Sequence, residues 1–337
     1  MEVSAAYRRL VVATACLAFV VVIVGAYVRL MNAGLGCPDW PGCYGELTPA
    51  HAQAEIDKAV EAQGGEHGPV SLRKAWKEMV HRYLAGALGL AILAIAIASW
   101  RSRVRALRSP VLPTTLLALV IFQAALGMWT VTLLLKPVIV SLHLLGGMAT
   151  LTLLVWLALR QLDFRAATGN VATFAAVRPW ALVALAIVVV QIALGAWVSS
   201  NYAALACVDF PTCHGSWLPA MDFRHGFQLV RELGRTAAGD HLAYEALTAI
   251  HWTHRVGALV TFLYTGALAA VLLRTNGIAR YGVLLGALIV AQVALGIANV
   301  LAGLPLAIAV AHNAVAAILL VTLVMINFAL SREPKTP

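Results

Sequence analysis

Eight stretches of this chain are each long and apolar enough to cross a lipid bilayer, which decides its fold class before any motif is read. They cover roughly residues 10–30, 80–100, 111–133, 138–160, 179–200, 247–273, 279–301 and 306–330, close to the ~20 apolar residues that a helical span needs. With 61% hydrophobic and 12% charged residues among 337 positions, the chain lacks the charge that a water-facing surface of this size requires. The first stretch follows Tyr7-Arg8-Arg9, so a signal peptide is the rival reading. It is about twice the length of a signal's apolar core and runs into Tyr27-Val28-Arg29 without a small-residue cleavage site. It is read as a retained span. The expectation is an all-α integral membrane protein with eight transmembrane helices.

The net charge of +9 would suit nucleic acid, but the positions of the charges exclude that partner. Arg101, Arg103, Arg105 and Arg108 lie between spans two and three. Arg160, Arg165 and Arg178 flank the connection between spans four and five, Arg274 and Arg280 that between six and seven, and Arg8, Arg9, Arg332 and Lys335 the termini. Eight alternating helices put all of these on one side. By the positive-inside rule that side is the cytoplasm, with both termini in it. The other side receives two long loops, about 31–78 and 201–246, which mix acids with bases. The basic excess is therefore an orientation signal that also favours anionic membrane lipid.

The chain is duplicated. Cys37-Pro38-Asp39-Trp40-Pro41-Gly42-Cys43-Tyr44-Gly45 matches Cys207-Val208-Asp209-Phe210-Pro211-Thr212-Cys213-His214-Gly215, His81-Arg82 matches His254-Arg255, Gln123–Gly127 matches Gln292–Gly296, and His143 matches His312. A period this long means two tandem domains, 1–165 and 166–337, rather than a solenoid. Each copy holds four spans, an even number, so both share one orientation. The expected architecture is two four-helix bundles related by a pseudo-twofold along the membrane normal. A third Gln-x-Ala-Leu-Gly, Gln191–Gly195, lies on span five and reads as helix packing, with ligand contact as the alternative.

Of the ten histidines, four within spans recur as matched pairs in the two copies: His81, His143, His254 and His312, all at similar depth on helices that run in one direction. An ionisable side chain at such depth is a functional candidate, and recurrence in both copies argues against a merely hydrogen-bonded core histidine. Two imidazoles facing each other across a bundle suit bis-His ligation of haem iron. Zinc would want further ligands nearby. Small residues around them (Gly86, Gly89, Gly146, Gly147 and Gly257) leave room for a large flat cofactor. Each half would then hold one haem, between His81 and His143 in the first and between His254 and His312 in the second. Arg82 and Arg255 could pair a haem propionate or snorkel to the interface. Glu78, three residues before His81, shares its helical face, whereas the second copy has His251 there. Only the first half thus places a carboxylate near its ligand pair, able to take a proton or stabilise developing positive charge; complementing the helix dipole is the alternative.

Cys37 with Cys43 and Cys207 with Cys213 read as loop disulfides on an oxidising side, structural or redox-relaying. Cys16 is left as a small core residue. His51, His67, His214, His225 and His241 read as solvated, with His214 a metal candidate beside Cys213.

Gly25-Ala26-Tyr27-Val28-Arg29-Leu30, then Gly34-Leu35-Gly36-Cys37 through Gly45, resemble the first-loop signature of the haem A synthase family. Glu78-x-x-His81-Arg82 resembles its second-helix motif, and the likeness runs through the surroundings of His143, His254-Arg255 and His312. The resemblance implies an inner-membrane oxidoreductase that converts a methyl group of haem O to the formyl group of haem A for cytochrome oxidase. It implies His81 and His143 as ligands of the substrate haem, His254 and His312 as ligands of a haem b cofactor, and Glu78 as the catalytic glutamate. Partners it implies are haem O synthase and cytochrome oxidase assembly factors, with a homo-oligomer compatible. The cysteine loops would face the periplasm. No role attaches to the long loop from Gly45 to Lys77. Rival readings of the same residues are a bis-His cytochrome b that only carries electrons and a transporter with parallel repeats.

Overall fold

The computed structural model describes residues 5–63, 65, 70–101, 109–165 and 169–332. Arg8, Arg9, Arg101, Arg160, Arg165, Arg178, Arg274, Arg280 and Arg332 fall within them; Arg103, Arg105, Arg108, Lys335 and His67 lie outside. Among the described residues the chain is all helical, with isolated β-bridges and no strand. Eight helices are long and apolar enough to span a membrane: α1 (Ala5–Leu30), α3 (Leu72–Trp100), α4 (Val111–Thr132), α5 (Pro137–Gln161), α6 (Val171–Ser200), α8 (Tyr244–Leu273), α9 (Ala279–Leu301) and α10 (Leu306–Leu330). This is a multi-pass membrane protein. A helix is the solution because lipid offers no partner to backbone N–H and C=O groups. Two short helices, α2 (Gln53–Ala62) and α7 (Phe223–Gly226), lie in the long loops. The loop from Gly45 to Lys77 is thus not featureless: Ile56 of α2 is fully buried against the cysteine loop and α3.

α3 and α6 start furthest ahead of what hydropathy suggests. α3 begins at Leu72, because the Ser71 hydroxyl caps it by accepting from the Lys74 amide at 3.3 Å. α6 begins at Val171, capped by the Asn170 side chain, and continues through Pro179. Glu78 and His81 therefore sit well inside α3, so the dipole-complementing alternative for Glu78 fails: the effect is confined to a helix's first turn, and the first turn of α3 holds no acid.

Packing order is the same in both halves. α1, α3, α4 and α5 close a ring in that order, with α1 also on α5; α6, α8, α9 and α10 do likewise, with α6 on α10. The halves meet where α5 packs on α6 and α10, and α1 on α10. One apolar core, including Val11, Ile92, Leu154, Ala184, Leu285 and Leu323, fills the end away from the cysteine loops and runs through both halves. Polar ties cross the seam: Ser141 to Ser200 at 3.0 Å, and Arg29 through Nη2 to the Ser199 carbonyl at 2.5 Å. Cys16 is exposed, not in the core as expected. It lies off the stripe that α1 buries (Tyr7, Val11, Thr14, Ala15, Ala18), and a thiol is as well solvated by lipid as by a protein interior.

Candidate functional site

Each of the four span histidines lies against a glycine of a neighbouring helix. A Cβ placed on Gly25 of α1 would come 2.9 Å from Cε1 of His81; the corresponding distances are 3.3 Å from Gly127 to His143, 3.2 Å from Gly195 to His254 and 3.2 Å from Gly296 to His312. A side chain at Gly25 would force the His81 ring to shift, and one at the other three would press each ring back by a few tenths of an ångström. The four glycines each stand five residues before the end of their helix, Leu30, Thr132, Ser200 and Leu301. The seats are therefore level, all toward the end that carries the cysteine loops. His81 on α3 and His143 on α5 stand on opposite helices of the first ring, as do His254 on α8 and His312 on α10 in the second. All four residues are half-buried although they lie within long packed helices.

Three seats carry a glutamine four residues before the glycine, one turn away. Gln191 places its amide nitrogen 3.1 Å from Nδ1 of His254 and 3.0 Å from that residue's carbonyl. Gln292 places its own 3.2 Å from Nε2 of His312. Gln123 is buried over Gly146, one turn beyond His143. The third Gln-x-Ala-Leu-Gly, read as helix packing from sequence, packs as expected: Gly195 backs the His254 ring and Gln191 hydrogen-bonds that residue across the helix pair. Buried polar atoms without partners cluster here: Nδ1 of His81, His143 and His312, and Oε1 of Gln123, Gln191 and Gln292. Such orphans are costly in a finished core and mark a place built for something else.

Glu78 and Arg82 bind the first cysteine loop to α3. Glu78 is buried; its Oε2 accepts from the Cys37 amide at 3.0 Å and its Oε1 from Arg82 at 2.6 Å. Arg82 also donates to the carbonyls of Asp39 (2.8 Å) and Gly42 (2.6 Å). In the second half, the Cys207 amide donates to Nδ1 of His251 at 3.2 Å and Arg255 Nε lies 3.2 Å from its Nε2. Arg255 further donates to the carbonyls of Cys207, Asp209 and Thr212. Both guanidiniums therefore hold loop carbonyls, a task that neither the propionate nor the snorkelling reading foresaw.

Both loop pairs are disulfides, Cys37–Cys43 and Cys207–Cys213. The loops are near copies: each has a bridge closing a two-residue turn, Cys43 to Glu46 and Cys213 to Ser216. The turn residues Tyr44-Gly45 and His214-Gly215 all have positive φ, the geometry that makes glycine welcome there. Asp39 accepts from the amides of Tyr44 and Gly45, and Asp209 from those of His214 and Gly215. Asp209 also accepts from the Thr212 hydroxyl at 2.6 Å, and these bonds hold its carboxyl well below the usual range. His214 stacks on Tyr244 with centroids 5.7 Å apart. His225 pairs with Asp222 at 2.5 Å.

Among the described residues no three metal-binding side chains gather as a bare ion would need. What the chain offers is two imidazoles per half, the donor number that an iron already held by a porphyrin requires. Level seats, glycine faces and orphaned ring nitrogens all fit that group. An eight-span helical bundle with a histidine pair in each half is of the class whose cores are built to take a cofactor between facing helices.

The chain belongs to the cytochrome oxidase assembly protein family, whose model matches residues 8–324. It is 42% identical over 309 residues to a protein of Shewanella oneidensis named haem A synthase, covering 91% of this chain and 92% of that one. A haem A synthase of Halalkalibacterium halodurans is 28% identical, with 93% of each chain covered, and one of Chelativorans sp. is 30% identical, covering 90% and 84%.

Proposed function

We propose that this protein is a haem A synthase that oxidises the methyl group of haem O to the formyl group of haem A. The observation that carries the reading is the pair of level, glycine-backed histidine seats in each half, taken with the family and its named relatives. The N-terminal half, 1–165, takes the substrate haem between His81 and His143. The C-terminal half, 166–337, takes haem b between His254 and His312. When bound, the iron porphyrins supply the oxidising power and the electron path that side chains lack.

The protein's own part is placement and proton handling. The imidazole pairs would hold each macrocycle, and the glycine faces seat those imidazoles against the neighbouring helix backbone. Glu78 lies one turn from His81 on α3 and is the carboxylate available to take protons from the oxidised carbon, with Arg82 and the Cys37 amide fixing where it stands. Conversion of a methyl to a formyl group, with oxygen drawn at the level of water, releases four electrons and four protons, so an external acceptor completes the reaction. The basic residues at the connections support a topology with both termini in the cytoplasm of a bacterial inner membrane and the cysteine loops in the periplasm. Haem O is too apolar to cross water freely, which makes haem O synthase and oxidase assembly factors the expected partners.

Pigment extraction from purified protein tests the proposal: haem A and its partly oxidised precursor are expected, and haem b alone would reduce the protein to an electron carrier. Glu78→Gln should keep both haems and abolish formyl production. Full haem A yield in that variant would remove Glu78 from the chemistry.

A further inference from the structure

Four seats share one plan, and one of them lacks a part. Three carry the glutamine four residues before the glycine: Gln123, Gln191 and Gln292. At the fourth, before Gly25, the residue is Val21, buried in the apolar core. The surroundings agree. Gln123 lies over Gly146 and Gln191 over Gly257, each glycine three residues beyond its histidine. Three residues beyond His81 stands Leu84, which packs on the same apolar core as Val21. Where the His143 and His254 seats have an amide on a glycine, the His81 seat has a valine and a leucine. No described residue hydrogen-bonds to the His81 ring, and its Nδ1 is buried without a partner.

This absence bears directly on ligand strength. An imidazole that binds metal through one nitrogen carries its proton on the other, and an acceptor for that N–H fixes the ring and raises its basicity. The unpaired Oε1 of Gln191 is such an acceptor, since a half-turn of the amide, whose nitrogen now stands 3.1 Å from Nδ1 of His254, brings it to that nitrogen. Valine can accept nothing. We infer that Val21, standing where Gln191 supports His254 in the other half, makes His81 the more releasable of these two matched ligands, so that the porphyrin between His81 and His143 exchanges while the one between His254 and His312 stays. This deepens the proposed function, and rests on its assignment of the N-terminal half to the substrate: a substrate must come and go, and a cofactor must not.

The test transfers haem from the purified full-length protein in detergent to excess apomyoglobin and follows it by absorbance. Wild type should lose one haem fast and one slowly, and His81→Ala should remove the fast-exchanging one. Val21→Gln with Leu84→Gly, which recreates the amide on a glycine, should slow the fast phase by on the order of tenfold. Gln191→Val, which needs no new space, should speed the slow phase by a similar factor. If the fast phase vanishes with His81→Ala yet ignores the double substitution, or the slow phase ignores Gln191→Val, the inference fails and the haem assignment stands. If His81→Ala costs no haem at all, the N-terminal site itself is wrong, and the inference falls with it.

Discussion

The two cysteine loops are held by the same device made from different chemistry. In both, an arginine one turn beyond the device's central residue collects loop carbonyls, and a loop cysteine's amide donates to that central residue. In the first half the residue is Glu78, whose two oxygens accept from Cys37 and from Arg82 at once. In the second it is His251, with a donor at each ring nitrogen. A neutral imidazole has only one acceptor nitrogen, so one of those two donors goes unanswered. Duplication copied the geometry of the latch, and divergence at one position turned a buried ion pair into a weaker neutral contact. What this teaches is that Glu78 has a structural task in addition to its proposed chemistry: it ties the disulfide loop to the helix that carries His81.

Losing the arginine should expose the difference most. Arg82→Ala leaves a buried carboxylate unpaired and should cost about 3–5 kcal/mol. Arg255→Ala strands only a neutral ring and loop carbonyls, at about 1–3 kcal/mol. Thermal denaturation in detergent measures both, and equal losses would erase the distinction between the latches. The disulfides should contribute alike, because both close loops of the same sequence separation, 6 residues. Replacing either pair with serine should cost about 2 kcal/mol on loop entropy; a much larger loss in one half would show a bond that also carries latch strength.

His251→Glu should strengthen the second latch by about 1 kcal/mol, supplying the second acceptor that imidazole lacks. A loss of stability there would mean that the ring's shape matters more than its acceptors. The smallest effect concerns pH. Asp209 is depressed by its hydrogen bonds, chiefly from the Thr212 hydroxyl, so its contribution is complete above the unfolded carboxylate range and drains only as pH falls through the lower folded value. Hydrogen exchange at the His214 and Gly215 amides should therefore stay protected in mild acid. Thr212→Gly, which copies Gly42 of the first loop, should bring the loss of protection to higher pH; an unchanged acid point would remove the hydroxyl from the account.

Hydropathy found every span, because burial in lipid demands an unbroken apolar run and that demand is local. It misplaced the starts of α3 and α6, because Ser71 and Asn170 extend helices into polar sequence where hydropathy has nothing to report. The duplicated cysteine, histidine and glutamine spacings could be read directly, since linear distance along a helix translates into depth.

The amino-acid order by itself determined the eight helices, their duplication and the level at which the four histidines stand. Only the packed structure decided that Gln191 reaches His254, that Nδ1 of His81 is buried without a partner, that Glu78 turns to Cys37 and Arg82, and that Cys16 faces outward. The physical reason is that rise per residue is a property of one helix, whereas the direction a side chain faces acquires meaning only when a second helix crosses it.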